Sequence, residues 1–327
     1  MIEEKIIVGE GTQWALNGLL TLPGSASNNS PVPAVVLVQG SGTSDMDSHI
    51  KKVRPFKDIA EGLAQRGIAT IRYNKRSFQY ARKMIKAAGN SLTVKEEVID
   101  DVLLAASILR NDPRINPQQV YMAGLSMGGA LALRINAEGG NFAGLIIMAG
   151  SPRSLGTIML DQAHEQLQTG KGIMGWIVKR VASKMIPKLE SLGSITDEEA
   201  KATKMSGGTT LYYFKDFENH PVPAYLEKTT VPMLIIQGER DLQVKVDPDF
   251  KLYKELLAGR DDVTFKLYEG LNHAFMTAHY DTIADALKEF NHEQHVKDYV
   301  IDDIANWISA QATQPVQPAQ SDPSNPS

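Results

Sequence analysis

Short apolar runs punctuate the chain at residues 34–38, 120–123, 145–148 and 233–236, each continuous in the way that strands buried on both faces require. Residues 68–73 and 263–267 read as two further strands. Between these runs the apolar spacing becomes helical. Residues 55–65 form one helix, closed by Gly67. Val98, Val102, Ala105 and Leu109 lie on one face of another, which opens on Thr93 and Glu96 as a capping box and stops at Asp112-Pro113. A helical pattern (Ala130, Leu131, Leu133, Ile135) follows the run at 120–123, and residues 249–257 form a further helix. Val300, Ile304, Trp307 and Ile308 mark the inner face of a closing helix over 296–310. This alternation predicts an α/β fold with a doubly wound, mostly parallel sheet. At the amino end, 5–8 and 14–22 read as a hairpin at a sheet edge, joined by Gly9-Glu10-Gly11-Thr12.

From 151 to 225 the alternation breaks. The stretch is helical and amphipathic, punctuated by Gly170, Gly172, Gly175, Gly193, Gly207 and Gly208, with a second helix start at Thr196 and Glu199. Its apolar content, including Ile158, Met159, Leu167, Ile173, Met174, Trp176 and Ile177, exceeds what a surface loop needs. The expected organisation is therefore a core domain made of 1–150 and 226–310, with a helical cap inserted at 151–225 that forms one wall of an apolar pocket. Residues 311–327 contain almost nothing that could repay ordering, and are expected to be a disordered tail.

Composition narrows the chemistry. The 327 residues include no cysteine, which excludes disulfides, thiolate nucleophiles and cysteine metal sites. A net charge of −4, from 34 basic and 38 acidic residues, leaves no basic footprint for nucleic acid. No apolar stretch approaches the roughly 18 residues of a membrane span. Met1-Ile2-Glu3-Glu4-Lys5 lacks the basic start of a signal peptide, so a cytoplasmic protein is expected. Asp45-Met46-Asp47-Ser48-His49 and the pair His292 and His295 have no neighbours that complete a metal ligand set, so neither a metal nor a cofactor is expected. Nothing in the chain specifies an oligomeric state.

The chemistry-bearing stretch is Gly124-Leu125-Ser126-Met127-Gly128, lying between a buried strand and a helix. In that setting G-x-S-x-G is a nucleophile elbow, because glycine on either side permits the sharp turn that exposes the serine hydroxyl. Two other strand ends carry possible partners, Gln237-Gly238-Glu239-Arg240-Asp241 and Glu269-Gly270-Leu271-Asn272-His273. The carboxyl ends of parallel strands line one edge, so Ser126, Asp241 and His273 can converge there. His273 would take the serine proton and Asp241 would orient the imidazole. Glu239, Asp247 and Asp249 compete for the acid's role, and Asp241 is preferred for its short reach from the strand end. A glycine-rich turn, Gln39-Gly40-Ser41-Gly42-Thr43, ends the strand at 34–38. The backbone N–H groups of Ser41 and Met127 would then hold a tetrahedral oxyanion, at roughly 3–4 kcal/mol per donor.

These motifs, together with Arg72-Tyr73-Asn74-Lys75-Arg76, resemble the α/β-hydrolase superfamily over about residues 10 to 310. Within it the chain looks like the capped bacterial carboxylesterases close to the dienelactone-hydrolase and acyl-CoA thioesterase branch. It departs from many relatives in having Gln39 for His, Asn74 for Asp and Ser77 for Gly, which leaves the loop at 73–77 as an open question for pocket specificity. The resemblance implies a serine hydrolase that cleaves short to medium acyl or aryl esters of a small-molecule substrate through an acyl-enzyme. The same machinery serves thioesters and amides, and a binding module without catalysis is the reading from another class. A peptidase would need acids in the cap to hold a substrate amine. Glu198-Glu199 and Asp216 with Glu218 are the candidates, read as facing solvent.

Overall fold

The computed structural model describes residues 1–169 and 172–312. One sheet of eight strands runs through it: β1 (Ile2–Val8), β2 (Leu16–Leu22), β3 (Val32–Val38), β4 (Ala69–Tyr73), β5 (Ile115–Leu125), β6 (Leu145–Met148), β7 (Met233–Gly238) and β8 (Val263–Tyr268). Their order across the sheet is β1-β2-β4-β3-β5-β6-β7-β8. From β4 to β8 all neighbours are parallel, while β1 and β2 form an antiparallel hairpin at one edge. The fold is that of an α/β-hydrolase.

Side-chain alternation splits the apolar runs between two cores. Val36, Met122, Leu145, Ile147 and Ile235 point to one face, where they meet Val102, Ala105 and Leu109 of the helix Asp100–Asn111. Leu37, Tyr121, Ile146, Met148 and Ile236 point to the other. There they meet Ile59 and Leu63 of the helix Pro55–Gln65, and Ile304 and Trp307 of the helix Asp298–Ala312. Continuous apolar sequence is the signature of such two-sided burial. Gln311 and Ala312, assigned to the tail by their composition, continue the last helix; residues 313–327 and Gly170 lie outside the described residues, as do the side chains of Ile173, Met174 and Ile177.

One helix lies outside the elements read from the sequence. Arg76–Ala88 buries only Arg76, Ser77 and Met84. Polar contacts to the β1–β2 connection add to its hold: Gln79 Nε2 and Tyr80 Oη both donate to Ala15 O at 2.8 Å, and Lys83 Nζ donates to Gln13 O at 2.8 Å. Asp45 and His295 make internal contacts. Asp45 accepts the N–H groups of Asp47 and His49, and His295 lies 2.9 Å from Asp58.

Between β6 and β7 the chain forms the helices Leu155–Thr169, Gly172–Glu190, Asp197–Ala202, Tyr212–Asn219 and Pro223–Leu226. Thr196 and Glu199 make the expected reciprocal capping box. The stretch has small cores of its own, one around Leu189, Leu192, Leu211 and Phe214 and another around Ala163, Ala182 and Ile186. Phe217 and Leu226 key it into the core beneath. Asp216 does not face solvent: it is 5% exposed and accepts from Arg134 Nη1 at 2.6 Å, Arg134 being 5% exposed itself. No helix among the described residues is long and apolar enough to cross a membrane. Removing one partner of a buried ion pair strands the other, so Asp216→Ala should lower unfolding stability in urea by about 3 kcal/mol. Asp216→Asn, which keeps an acceptor for Arg134, should lose less.

Candidate active site

Ser126 occupies a backbone conformation that side chains avoid, φ 57° and ψ −120°, between β5 and the helical turn Met127–Ala130. The flanking glycines show why the sequence is so restricted there. A Cβ on Gly124 would stand 2.3 Å from the carbonyl carbon and oxygen of Gly128, and one on Gly128 would stand 2.3 Å from Val38 O. Backbone cannot yield to such contacts as a flexible side chain would. Ser126 N donates to Met148 O at 2.8 Å, tying the elbow to the next strand.

The glycine-rich turn after β3 lies directly against this serine: a Cβ on Gly40 would be 3.1 Å from Ser126 Cβ. Gln39 is buried, and its side-chain amide donates to Tyr73 O, fixing the start of the turn. Ser41, Ser126 and Met127 share a cavity of about 120 Å³ with Leu155, Met159 and Phe217 from the β6–β7 insertion. The insertion thus supplies an apolar wall facing the serine.

Across the same sheet edge, Asp241 and His273 meet. The imidazole Nδ1 lies 2.6 Å from Asp241 Oδ2. That carboxylate also accepts from Gln237 Nε2 at 2.9 Å, Gln243 N at 2.8 Å and Val244 N at 3.0 Å. With Nδ1 donating to the acid, Nε2 is left as the basic nitrogen. The two loops fit because Gly238 has no side chain: a Cβ there would be 2.5 Å from the carbonyl oxygens of Leu271 and Asn272. Asn272 Oδ1 braces the histidine loop from within, accepting from Ala274 N at 3.0 Å and Met276 N at 3.1 Å.

The rival acids are engaged elsewhere. Asp249 accepts from Ser151 Oγ at 2.6 Å and Arg153 Nε at 2.7 Å, Asp247 pairs with Lys251 at 2.6 Å, and Glu239 accepts from Gly270 N at 3.1 Å. Ser126 Oγ makes no hydrogen bond among the described residues, and neither His273 nor Asp241 lines the cavity beside it. The structure therefore joins acid to imidazole and gathers Ser126, Ser41 and Met127, without the contact from imidazole to hydroxyl. Such contacts are often long in unliganded enzymes and tighten with substrate. Lys75, placed by the sequence only within the motif after β4, contacts the turn from below. It is buried beneath the glycine-rich turn, and a lone lysine after a strand carries no sequence signal for that position.

Comparison with known proteins bears on the family and the fold. Esterase EstD of Thermotoga maritima is 34% identical over 306 residues, covering 94% of this chain and 67% of that protein. Two solved structures share the fold at lower identity. Est1E from Butyrivibrio proteoclasticus with ferulic acid bound has a TM-score of 0.57 at 16% identity, covering 94% of this chain and 100% of that one. An esterase of Pyrococcus furiosus has a TM-score of 0.55 at 13% identity, covering 95% and 91%. Residues 34–279 match the family described as Hydrolase_4, serine aminopeptidase S33. A match of that extent, over a hydrolase fold, makes the chain a member of this family of α/β-hydrolase enzymes.

Proposed function

We propose that the protein is a serine carboxylesterase acting through Ser126, His273 and Asp241. The observation that carries this reading is the contact of 2.6 Å between His273 and Asp241 on the sheet edge where the strained Ser126 sits. Ser126 Oγ attacks the ester carbonyl carbon while His273 Nε2 takes its proton, and the N–H groups of Ser41 and Met127 receive the charge on the carbonyl oxygen. His273 then protonates the departing alcohol as the tetrahedral species collapses to an acyl-enzyme. Water, deprotonated by the same imidazole, releases the acid and restores Ser126. Asp241 stabilises the imidazolium in both steps. Residues 151–225 act as a cap over this site. A cavity of about 120 Å³ favours a short acyl group. The aryl alternative is supported by the ferulic acid held by Est1E.

Acyl-CoA thioesters form the second substrate class, in keeping with the motif resemblance to that branch. A larger cavity of about 610 Å³ shares Met159 with the serine cavity and is flanked by Arg180 and Lys184, groups suited to an anionic substrate. Three of the four acids that could hold a substrate amine are engaged, Glu199 capping a helix, Glu198 pairing with Lys201 and Asp216 with Arg134, which leaves Glu218 as the acid an amide substrate would use.

Ser126→Ala should cut p-nitrophenyl acetate turnover by at least about 10³-fold with an unchanged thermal midpoint. Parallel rates on a p-nitroanilide and an acetyl thioester rank the three bond types. Asp241→Asn should lose about 10³–10⁴ in kcat. Asp249→Asn should instead lower stability and leave kcat within about threefold, since it supports Arg153 and not the imidazole; equal losses of kcat in the two variants would sink the assignment. Met159 divides the two cavities, so Met159→Ala should shift the preferred p-nitrophenyl ester from acetate towards longer chains, read as the ratio of kcat/KM values.

A further inference from the structure

We infer that Lys75, Glu97 and Tyr213 form a buried clamp that sets the direction of the Ser41 N–H and links it to the seating of the inserted helices. The inference rests on the reading of Ser41 and Met127 as the donors that receive the developing charge. Lys75 Nζ lies 2.9 Å from Gly40 O, 3.0 Å from Gly42 O and 3.1 Å from Glu97 Oε1. An ammonium has three protons, and here each has an acceptor. The acceptor that matters is Gly40 O, because it belongs to the same peptide group as the Ser41 N–H. A peptide group is planar and trans, so fixing its carbonyl on one side fixes its N–H on the opposite side. A cation on the carbonyl also polarises the group and strengthens its N–H as a donor. Lys75 thus acts on the Ser41 N–H without touching substrate; it is a positioning residue.

Glu97 holds Lys75 in place and passes the constraint on. Its carboxylate accepts from Tyr213 Oη at 2.5 Å, and the same hydroxyl lies 3.6 Å from Met127 Sδ, the side chain of the second proposed donor. Tyr213 belongs to the inserted helix Tyr212–Asn219 and packs edge to face on Phe217, which lines the cavity beside Ser126. The side chains of Lys75 and Glu97 are 2% and 7% exposed. Burial pulls the Lys75 ammonium below its ordinary range while Glu97 opposes it; burial pushes the Glu97 carboxyl up, and Lys75 and the Tyr213 hydroxyl more than offset this. A buried ion pair of this kind contributes little net stability compared with apolar packing. Its placement under the turn gives it a different use: the turn is held for catalysis, and part of the hold, beside the Ser77 hydroxyl of the core, comes from a tyrosine of the insertion.

The test compares Tyr213→Phe, Glu97→Gln and their double variant with the parent protein. It reads kcat and KM on p-nitrophenyl acetate, thermal midpoint, and inhibition by an alkyl trifluoromethyl ketone, whose adduct with Ser126 carries an oxyanion. Glu97→Gln should lower kcat and ketone affinity together by about tenfold, with KM within about twofold, because only the charged adduct uses the Ser41 N–H fully. Tyr213→Phe should move both in the same direction by about threefold, and the double variant should match Glu97→Gln, since the hydroxyl acts through the carboxylate. If Glu97→Gln does not fold, Tyr213→Phe, which removes one oxygen, decides alone. Unchanged kcat and ketone affinity in a folded Tyr213→Phe, with turnover abolished in Ser126→Ala, overturns the clamp and leaves the esterase reading standing. Turnover retained in Ser126→Ala brings down that reading and the clamp with it.

Discussion

A side chain has no room at position 124 or 128, and the geometry of the site follows from that exclusion. The atoms a Cβ would meet at 2.3 Å are main-chain atoms of Gly128 and Val38, so β5, the turn after β3 and the helix after Ser126 stand at their closest approach. The strained conformation of Ser126 is the geometric result. Strain of this kind persists only where the surroundings over-determine it. Here the determinants are the tie from Ser126 N to Met148 O and the turn packed against the serine from the other side.

The same economy of space recurs at β7. Gly238 allows the loop around Asn272 to lie on the strand end, which brings His273 to Asp241. The carboxylate is then fixed by two main-chain N–H groups and Gln237, so the acid is held in place independently of the imidazole. Preorganised polar groups of this type need no reorientation as charge develops, which is why they are worth more inside a protein than in water.

The fold class was legible because two-sided burial leaves unbroken apolar runs: 34–38, 145–148 and 233–236 each fall inside an observed strand. The places of Ser126, Asp241 and His273 just past strand ends followed from the runs at 120–123, 233–236 and 263–267. What stayed hidden depends on polar contacts between distant segments. The helix Arg76–Ala88 has an apolar stripe through Tyr80, Ala81, Met84 and Ile85 of which only Met84 is fully buried, and side-chain amide, hydroxyl and ammonium groups also bind it to the carbonyls of Ala15 and Gln13. Asp216 was read as solvent-facing because an acid on an amphipathic helix usually is; Arg134, 82 positions away, makes its burial tolerable. Lys75 and Glu97 were invisible for the same reason, each being costly to bury without the other.

Two-sided apolar strands carry an ambiguity that the loops at their ends resolve. Sliding Leu145–Met148 by one place would exchange leucine and isoleucine faces for isoleucine and methionine faces, a trade between side chains of similar size that burial alone barely penalises. The end-stops are elsewhere: Gly128 wedged on Val38 O, Ser126 N latched to Met148 O, Gly238 seated under Leu271 and Asn272. The contacts that aim the reactive side chains are therefore also those that index the strands, so misalignment of the sheet and loss of the site are one and the same failure.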